Sequence, residues 1–428
     1  MRAVLSPRVR EGPQLHGRDL GRPGRRGGRS RSDNPTETSG GPMTWLFVTS
    51  RFPWPLTHGT WLRVYHLTAE LAGQGDRVSV LSYPPSAQAG RAYAAIGVDL
   101  PSGPTGQPSN HGPARSWLSP HVFDSALAGS VADSAGDFDT VVLVREKTLQ
   151  YSPEARRAAT VVVDMVDDPV LERSRHPSGG PGKRARLAVF RFRQSRCERR
   201  FSGDVDRFVF VSPNDAEAFA HRRAGAEVAC APNGVDTDYF SPAAAAGCGD
   251  QGASTVVFLG NMAHEPNEQA ATFLIRQIAP SVWAARPETR FLIVGANPSV
   301  AVLSLKSDHV TVTGYVADVR PYLKAASVVA LPMQSGTGIK NKLLEAWAMG
   351  CPVTATSLAC QGLPASHGEN VLIADSAKTH ADAICRLIAD QPYRRRLGAA
   401  GRKTVEETLT WSHAADQFRR ACTKGAQG

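Results

Sequence analysis

The chain has 428 residues, 42% of them hydrophobic and 21% charged, which is the balance of a soluble globular protein and a length that suits two domains. No apolar run approaches the roughly 18 residues that a membrane-crossing helix needs, and the N-terminus lacks the apolar core of a secretory signal. Half of the net charge of +10 lies in residues 1–42, where nine arginines face four acidic residues. Those residues are rich in Gly, Arg, Pro and Ser without apolar periodicity, so a disordered extension is expected. Its arginines would suit RNA or anionic lipid. The plainer reading, which the composition favours, is sequence upstream of a true start at Met43, immediately before the first strand. No nucleic-acid partner is expected on that reading.

From Thr44 onward, short apolar runs alternate with helical stretches. WLFVTS (45–50), RVSVLS (77–82), TVVLVR (140–145), TVVVDMV (160–166), RFVFVS (207–212) and EVACAP (227–232) read as strands. After the small, polar stretch 241–254 the style repeats in TVVFLG (255–260), RFLIVG (290–295), HVTVTG (309–314), SVVALP (327–332) and PVTAT (352–356). Near-continuous Val, Ile and Leu runs fit parallel strands buried on both faces. With helices between them, each half becomes a doubly wound α/β unit. The predicted organisation is therefore an extension (1–42), a first domain (43–240), a linker (241–254), a second domain (255–391) and C-terminal helices (392–428). Residues 101–120 read as a long loop inside the first domain. The seven cysteines are scattered without a C-x-x-C pair, which suggests reduced thiols in a cytosol rather than a disulfide framework or zinc site.

The most informative stretch is LPMQSGTGIKNKLLEAWAMGCPVTATSLACQGL (331–363). A strand enters a turn holding Gly336, Thr337 and Gly338, and a short helix carrying Lys342 and Glu345 follows. Glycines let backbone N–H groups approach an anion, and a helix N-terminus adds a favourable field. A lysine one turn before a glutamate supplies a cation for phosphate and an acceptor for hydroxyls. A nucleotide diphospho-sugar matches that combination. No phosphate-loop lysine motif, zinc-protease helix or nucleophile elbow is present, and the glycine pair lacks the third glycine of a dinucleotide fingerprint.

This segment resembles the donor-binding end of retaining GT-B glycosyltransferases of the large bacterial group 1 / family 4 type. The resemblance continues through NGVDTDYFSP (233–242), VVFLGNMAHEPN (256–267), FLIVGANP (291–298) and VTGYVADVRPYLKAA (312–326), and is strongest in look to the exosortase-associated branch. It implies two Rossmann-like domains facing across a cleft and a last helix that crosses back to the first domain. It also implies transfer of a sugar with retention from a nucleotide-diphosphate donor to a glycan or lipid-linked acceptor hydroxyl. Neither a metal nor a cofactor is then required, the nucleotide sugar being substrate. The family's matching glutamate is Glu345, which would grip the ribose hydroxyls. Lys340 and Lys342 would face the diphosphate, with Lys342 preferred for the charge that develops on the leaving group.

The resemblance assigns Gly59, at the start of a helix after SRFPWPLTH, to a loop that contacts the donor phosphate. Arg63, one turn on, and Arg51 are further candidates. The loop at Gly314 and Tyr315 would read the base, and Arg320 nearby would anchor its helix. Many relatives carry an additional glutamate eight positions before the ribose-binding one; Thr337 stands there, which leaves sugar recognition open. Where relatives hold the diphosphate with a basic pair, this chain has Gly260, Asn261, His264, Pro266 and Asn267.

Asp164 and Asp167 end or follow a strand, where carboxylates face the ligand crevice, and could contact acceptor hydroxyls. A turn or helix-cap role beside Asp168-Pro169 is the alternative. The triplets Asp204/Asp206 and Asp236/Asp238 are not expected to bind metal. Residues 183–201 hold eight basic residues and one acid among Leu187, Val189, Phe190 and Phe192. They would form a helix packed on the first sheet with solvated arginines, or one that docks on anionic lipid. A cytoplasmic protein is expected, working peripherally at the inner face of the cell membrane in the second case. A nucleotide-sugar epimerase on the same fold and a non-catalytic scaffold, the latter prompted by Thr337, are the competing functions.

Overall fold

The structure is a computed structural model, and it describes residues 41–56, 58–108, 119–174, 181–243 and 254–423. Nearly all of the arginine-rich extension, half of the loop 101–120 and most of the linker therefore lie outside the described residues.

Two parallel sheets carry the fold. The first contains β1 (Thr44–Val48), β2 (Arg77–Leu81), β3 (Val98–Asp99), β4 (Thr140–Val144), β5 (Thr160–Val166), β6 (Arg207–Phe210) and β7 (Val228–Cys230), in the order β3-β2-β1-β4-β5-β6-β7. The second contains β8 (Thr255–Leu259), β9 (Arg290–Val294), β10 (Val310–Gly314), β11 (Val328–Leu331), β12 (Val353–Ala355) and β13 (Leu372–Ile373), in the order β10-β9-β8-β11-β12-β13. Central strands such as β4 and β8 are buried along their whole length, which is why they read as unbroken Val and Leu rather than alternating. In both sheets the order reverses beside the first strand, so the crevice opens at the carboxyl ends of β1 and β4 in one and of β8 and β11 in the other.

The strands end one or two residues earlier than expected. Ser50, Arg145 and Gly260 fall beyond β1, β4 and β8, although the Arg145 and Gly260 amides still donate to the Asp164 carbonyl at 2.8 Å and the Val294 carbonyl at 3.0 Å; both residues take positive φ there and line the cleft. The edge strands β3 and β13 have two residues each, too few to show a period.

The chain crosses between the domains twice, at neighbouring points. The Val235 amide donates to the Leu409 carbonyl at 2.8 Å. A Cβ on Gly234 would come within 2.6 Å of the Thr410 carbonyl oxygen, so only glycine permits this approach. Arg402, on the helix Gln391–Thr408, donates to the carbonyls of Phe240 at 2.8 Å and Thr237 at 3.3 Å, tying the linker down. The last helix, Trp411–Cys422, then packs Trp411, Ala415 and Phe418 into the core of the first domain with Trp45, Phe47 and Leu67.

Candidate active site

A cavity of about 400 Å³ lies between the two domains. Two helices start at its walls: Gly59–Gly73 from the first domain and Asn341–Ala348 from the second. Among the described residues several helices are capped by a side chain, such as those after Ser86, Asp124, Ser212, Ser376 and Thr410. These two are not: neither His58 nor Lys340 caps with its side chain, and neither helix has an acid in its first turn. Their starts lie close together, since a Cβ on Gly59 would sit 3.5 Å from Asn341 Nδ2. Asn233, between the domains, donates to Asn341 Oδ1 at 3.1 Å. Two uncapped helix N-termini facing one space make a strong field for an anion.

The turn before the second helix is built by glycine and by Lys340. Gly336 (φ +109°) and Gly338 (φ +65°) adopt the left-handed region. Lys340 is buried, and its ammonium donates to the carbonyls of Thr337 and Gly338, which closes the turn. Lys342 reaches the other way: Nζ donates to Asn267 Oδ1 at 2.6 Å and stands 4.7 Å over the Phe258 ring. Asn267 in turn donates to the Asn261 carbonyl at 2.9 Å. Burial pushes Lys342 down to about 7, helped by Lys340 and opposed by Glu345. Burial pushes Glu345, also on the cleft wall, up to about 7 against the pull of Lys342. Both groups thus titrate close to neutral pH.

From the first domain, Asp167 follows β5, and burial raises its carboxyl to about 6 against the attraction of Arg145. Arg145 follows β4 with φ +72°, strained for a non-glycine residue. Its guanidinium bonds Glu146 at 3.1 Å and Thr60 at 3.3 Å. Glu172, from the first domain, and His264, from the second, also line the cavity.

The structure brings Gly59, Gly336, Thr337, Lys340, Lys342, Glu345 and Asp167 to one cavity, and Gly338 abuts Asp167 from the opposite domain. Four expected site residues lie elsewhere. Arg63 and Asp164 are both fully buried and bond each other, Nε to Oδ2 at 2.8 Å, and neither lines the cavity. The reason is helical and strand phase: Arg63 lies one turn past Gly59 but on the side that packs against β5. Gly314 ends the outer strand β10 and Tyr315 after it is half exposed; neither lines the cavity. Arg320 is architectural, bonded to Asp318 and stacked 3.8 Å from the Tyr239 ring. Asp236 accepts from the Asp238 and Tyr239 amides and so serves a turn, while Asp206 pairs with Arg156 and accepts from the Val161 amide, holding β5 and β6 together. Among the described residues no cluster of three His, Cys, Asp or Glu is placed to hold a metal. Sequence reasoning missed Arg145, Glu172, Asn233 and Asn341. Arg145 could have been found by the argument used for Asp164, a charged residue where a parallel strand opens onto the crevice.

Residues 57–239 match the Glycosyltransferase Family 4 model, and residues 253–390 match the Glycosyl transferases group 1 model. A GDP-mannose-dependent alpha-(1-6)-phosphatidylinositol monomannoside mannosyltransferase of Mycobacterium tuberculosis is 29% identical over 242 residues, which span 51% of this chain and 61% of that protein. Among solved structures, sucrose-phosphate synthase from Thermosynechococcus elongatus superposes with a TM-score of 0.63 at 17% identity, covering 88% of this chain and 98% of that one. The HepE protein of Anabaena, in complex with UDP and glucose, gives 0.62 at 15% identity over 90% and 100%. At these identities the structures speak for the fold alone. With a family match in each domain and this architecture around the cleft, the chain belongs to the GT-B glycosyltransferases.

Proposed function

We propose that the chain transfers a sugar from a nucleoside-diphosphate donor to a hydroxyl of a glycan or lipid-linked acceptor, with retention at the anomeric carbon. The observation that carries this reading is the pair of uncapped, acid-free helix N-termini meeting at Gly59 and Asn341, with Lys342 and Glu345 on the second of them. The diphosphate would sit between the two helix starts, and Lys342 would turn from Asn267 to meet it. Glu345, one turn further, would accept from the ribose hydroxyls. As the glycosidic bond breaks, charge grows on the leaving oxygen, where Lys342 and the helix fields stabilise it most. That oxygen can take the acceptor's proton from the same face, so no side-chain base is needed. Arg145 and Lys342 line the cavity and would supply positive charge to the diphosphate, so metal independence is part of the proposal. Closing the domains would exclude water.

The likeness to the exosortase-associated branch and a cytoplasmic site of action are part of this proposal. The cleft also holds His264, Asp167 and Glu172, the groups an epimerase would use. One experiment separates the readings. The protein is incubated with a panel of UDP and GDP sugars without acceptor, and the nucleotide products are resolved. Slow release of UDP or GDP that disappears in Glu345→Ala supports transfer. Return of an isomeric nucleotide sugar supports epimerisation, and nucleotide binding with no turnover, here or when glycan and lipid-linked acceptors are then added, supports a scaffold.

A further inference from the structure

The helix Pro181–Phe201 has two faces, and only one is used by the fold. Gln194, Cys197, Glu198 and Phe201, spaced for one side of a helix, are buried in the first domain. The helix's single acid, Glu198, is consumed there: it accepts from Arg222 at 3.1 Å and from Gln194 at 3.1 Å. On the opposite side, Val189 is 57% exposed and Phe192 is 53% exposed. Arg196 and Arg199 continue that line, and Arg184, Arg186, Arg191 and Arg200 are exposed beside it. Among the described residues none of these six arginines forms an ion pair with a carboxylate, while Arg196 lies 5.7 Å from the Phe192 ring.

We propose that this outer face is a docking surface for an anionic lipid bilayer, with Val189 and Phe192 entering the headgroup–acyl boundary and the arginines engaging lipid phosphates. Six like charges around an aliphatic and an aromatic side chain on one stripe match such an interface on both counts, charge and apolarity. A nucleic-acid contact would use the arginines and leave Val189 without a role. The helix is also tied to the cleft: the Arg173 guanidinium stacks 3.5 Å from the Phe190 ring, and Glu172 beside it lines the cavity. Docked this way, the acceptor side of the cleft opens next to the bilayer, where a lipid-linked acceptor would present its hydroxyl. That last step rests on the proposed transferase reading; the docking itself does not.

The test is cosedimentation of the full chain with vesicles of equimolar phosphatidylcholine and phosphatidylglycerol, and with phosphatidylcholine alone. The protein is expected to pellet only with the anionic vesicles. Each arginine lost should weaken partitioning roughly fivefold, so Arg196→Gln/Arg199→Gln should weaken it roughly 25-fold. Val189→Ser/Phe192→Ser should lose the fraction that survives raised salt. All these positions are exposed, so unchanged melting and unchanged donor hydrolysis, measured without vesicles, would certify the fold and keep the two proposals separable. Wild-type protein that stays in the supernatant overturns the inference. So does partitioning that both variants retain, because the contact would then lie elsewhere, for example in residues 1–42. Pelleting that added RNA abolishes while both variants bind RNA as wild type does would also overturn it.

Discussion

Gly338 and Asp167 face each other across the cleft so closely that a Cβ on Gly338 would overlap the Asp167 carboxylate. Gly338 also holds φ +65°, where an alanine costs about 1–2 kcal/mol. Gly338→Ala therefore combines local strain with a wedge between the domains. We expect turnover of the donor to fall tenfold or more. Asp167→Ala in the same chain should recover the part due to the wedge and leave the part due to the backbone. A double-mutant cycle on kcat/KM measures that coupling. Strictly additive losses would show that the close approach is not what limits Gly338→Ala.

The opposed titrations of Lys342 and Glu345 predict a bell-shaped pH dependence of nucleoside-diphosphate binding. Burial lowers Lys342 to about 7. An anion beside it favours the charged form, so the complex holds more protons above pH 7 and affinity falls as pH rises. Glu345 also titrates near 7, and accepting from ribose hydroxyls favours its ionised form. Affinity should then fall as pH drops below 7. Lys342→Met should flatten the alkaline limb and Glu345→Gln the acid limb, each weakening binding by about 1.5–3 kcal/mol at pH 7 through loss of a charge-assisted contact. Titration calorimetry of UDP and GDP across pH, in buffers of different ionisation enthalpy, reads both affinity and proton uptake. A flat profile in the wild type would rule out the assignment.

Arg63 should prove to be a residue of stability rather than of substrate binding. It and Asp164 are completely buried together, and Arg63 also donates to Asn233 at 3.1 Å. Removing one partner of such a pair leaves an uncompensated buried charge and costs about 3–5 kcal/mol. Arg63→Met is thus expected to lower the melting temperature sharply while the surviving folded protein keeps its nucleotide affinity. Arg63→Met/Asp164→Leu, which removes both charges, should restore much of the stability. An unchanged melt with weakened nucleotide binding would return Arg63 to the donor site.

The contrast between Arg63 and Lys342 shows what was legible in the sequence. The parallel strands were readable because burial on both faces enforces long Val and Leu runs, as in β4 and β8. The turn at Gly336–Gly338 was readable because few residues other than glycine take its φ values. Side-chain direction was not readable. Arg63 stands four residues after Gly59, which suits either the cleft or the core, and the choice depends on how the helix rests on β5. Asn233 was hidden for a related reason, since it enters the site through an interdomain crossing whose position depends on both domains, whereas Arg145 stood at a strand end that the crevice rule could have reached.

The last helix makes the first domain depend on the end of the chain. Phe418 is fully buried, 6.2 Å from the Trp45 ring, 6.0 Å from the Phe47 ring and 5.4 Å from the Arg63 guanidinium. Phe418→Ala leaves a cavity against β1 and should cost about 3–5 kcal/mol. Because Trp411–Cys422 packs on the first domain, the loss belongs there and not to the second domain beside it in sequence. Calorimetry should show the first domain melting earlier, with the nucleotide-responsive transition of the second domain little changed. Val300→Ser, at a position 84% exposed on the second domain, should alter either transition by no more than about 0.5 kcal/mol. A Phe418→Ala protein whose two transitions shift together would mean that the domains unfold as one unit, held by the crossing at Val235 and Leu409 as firmly as by their own cores.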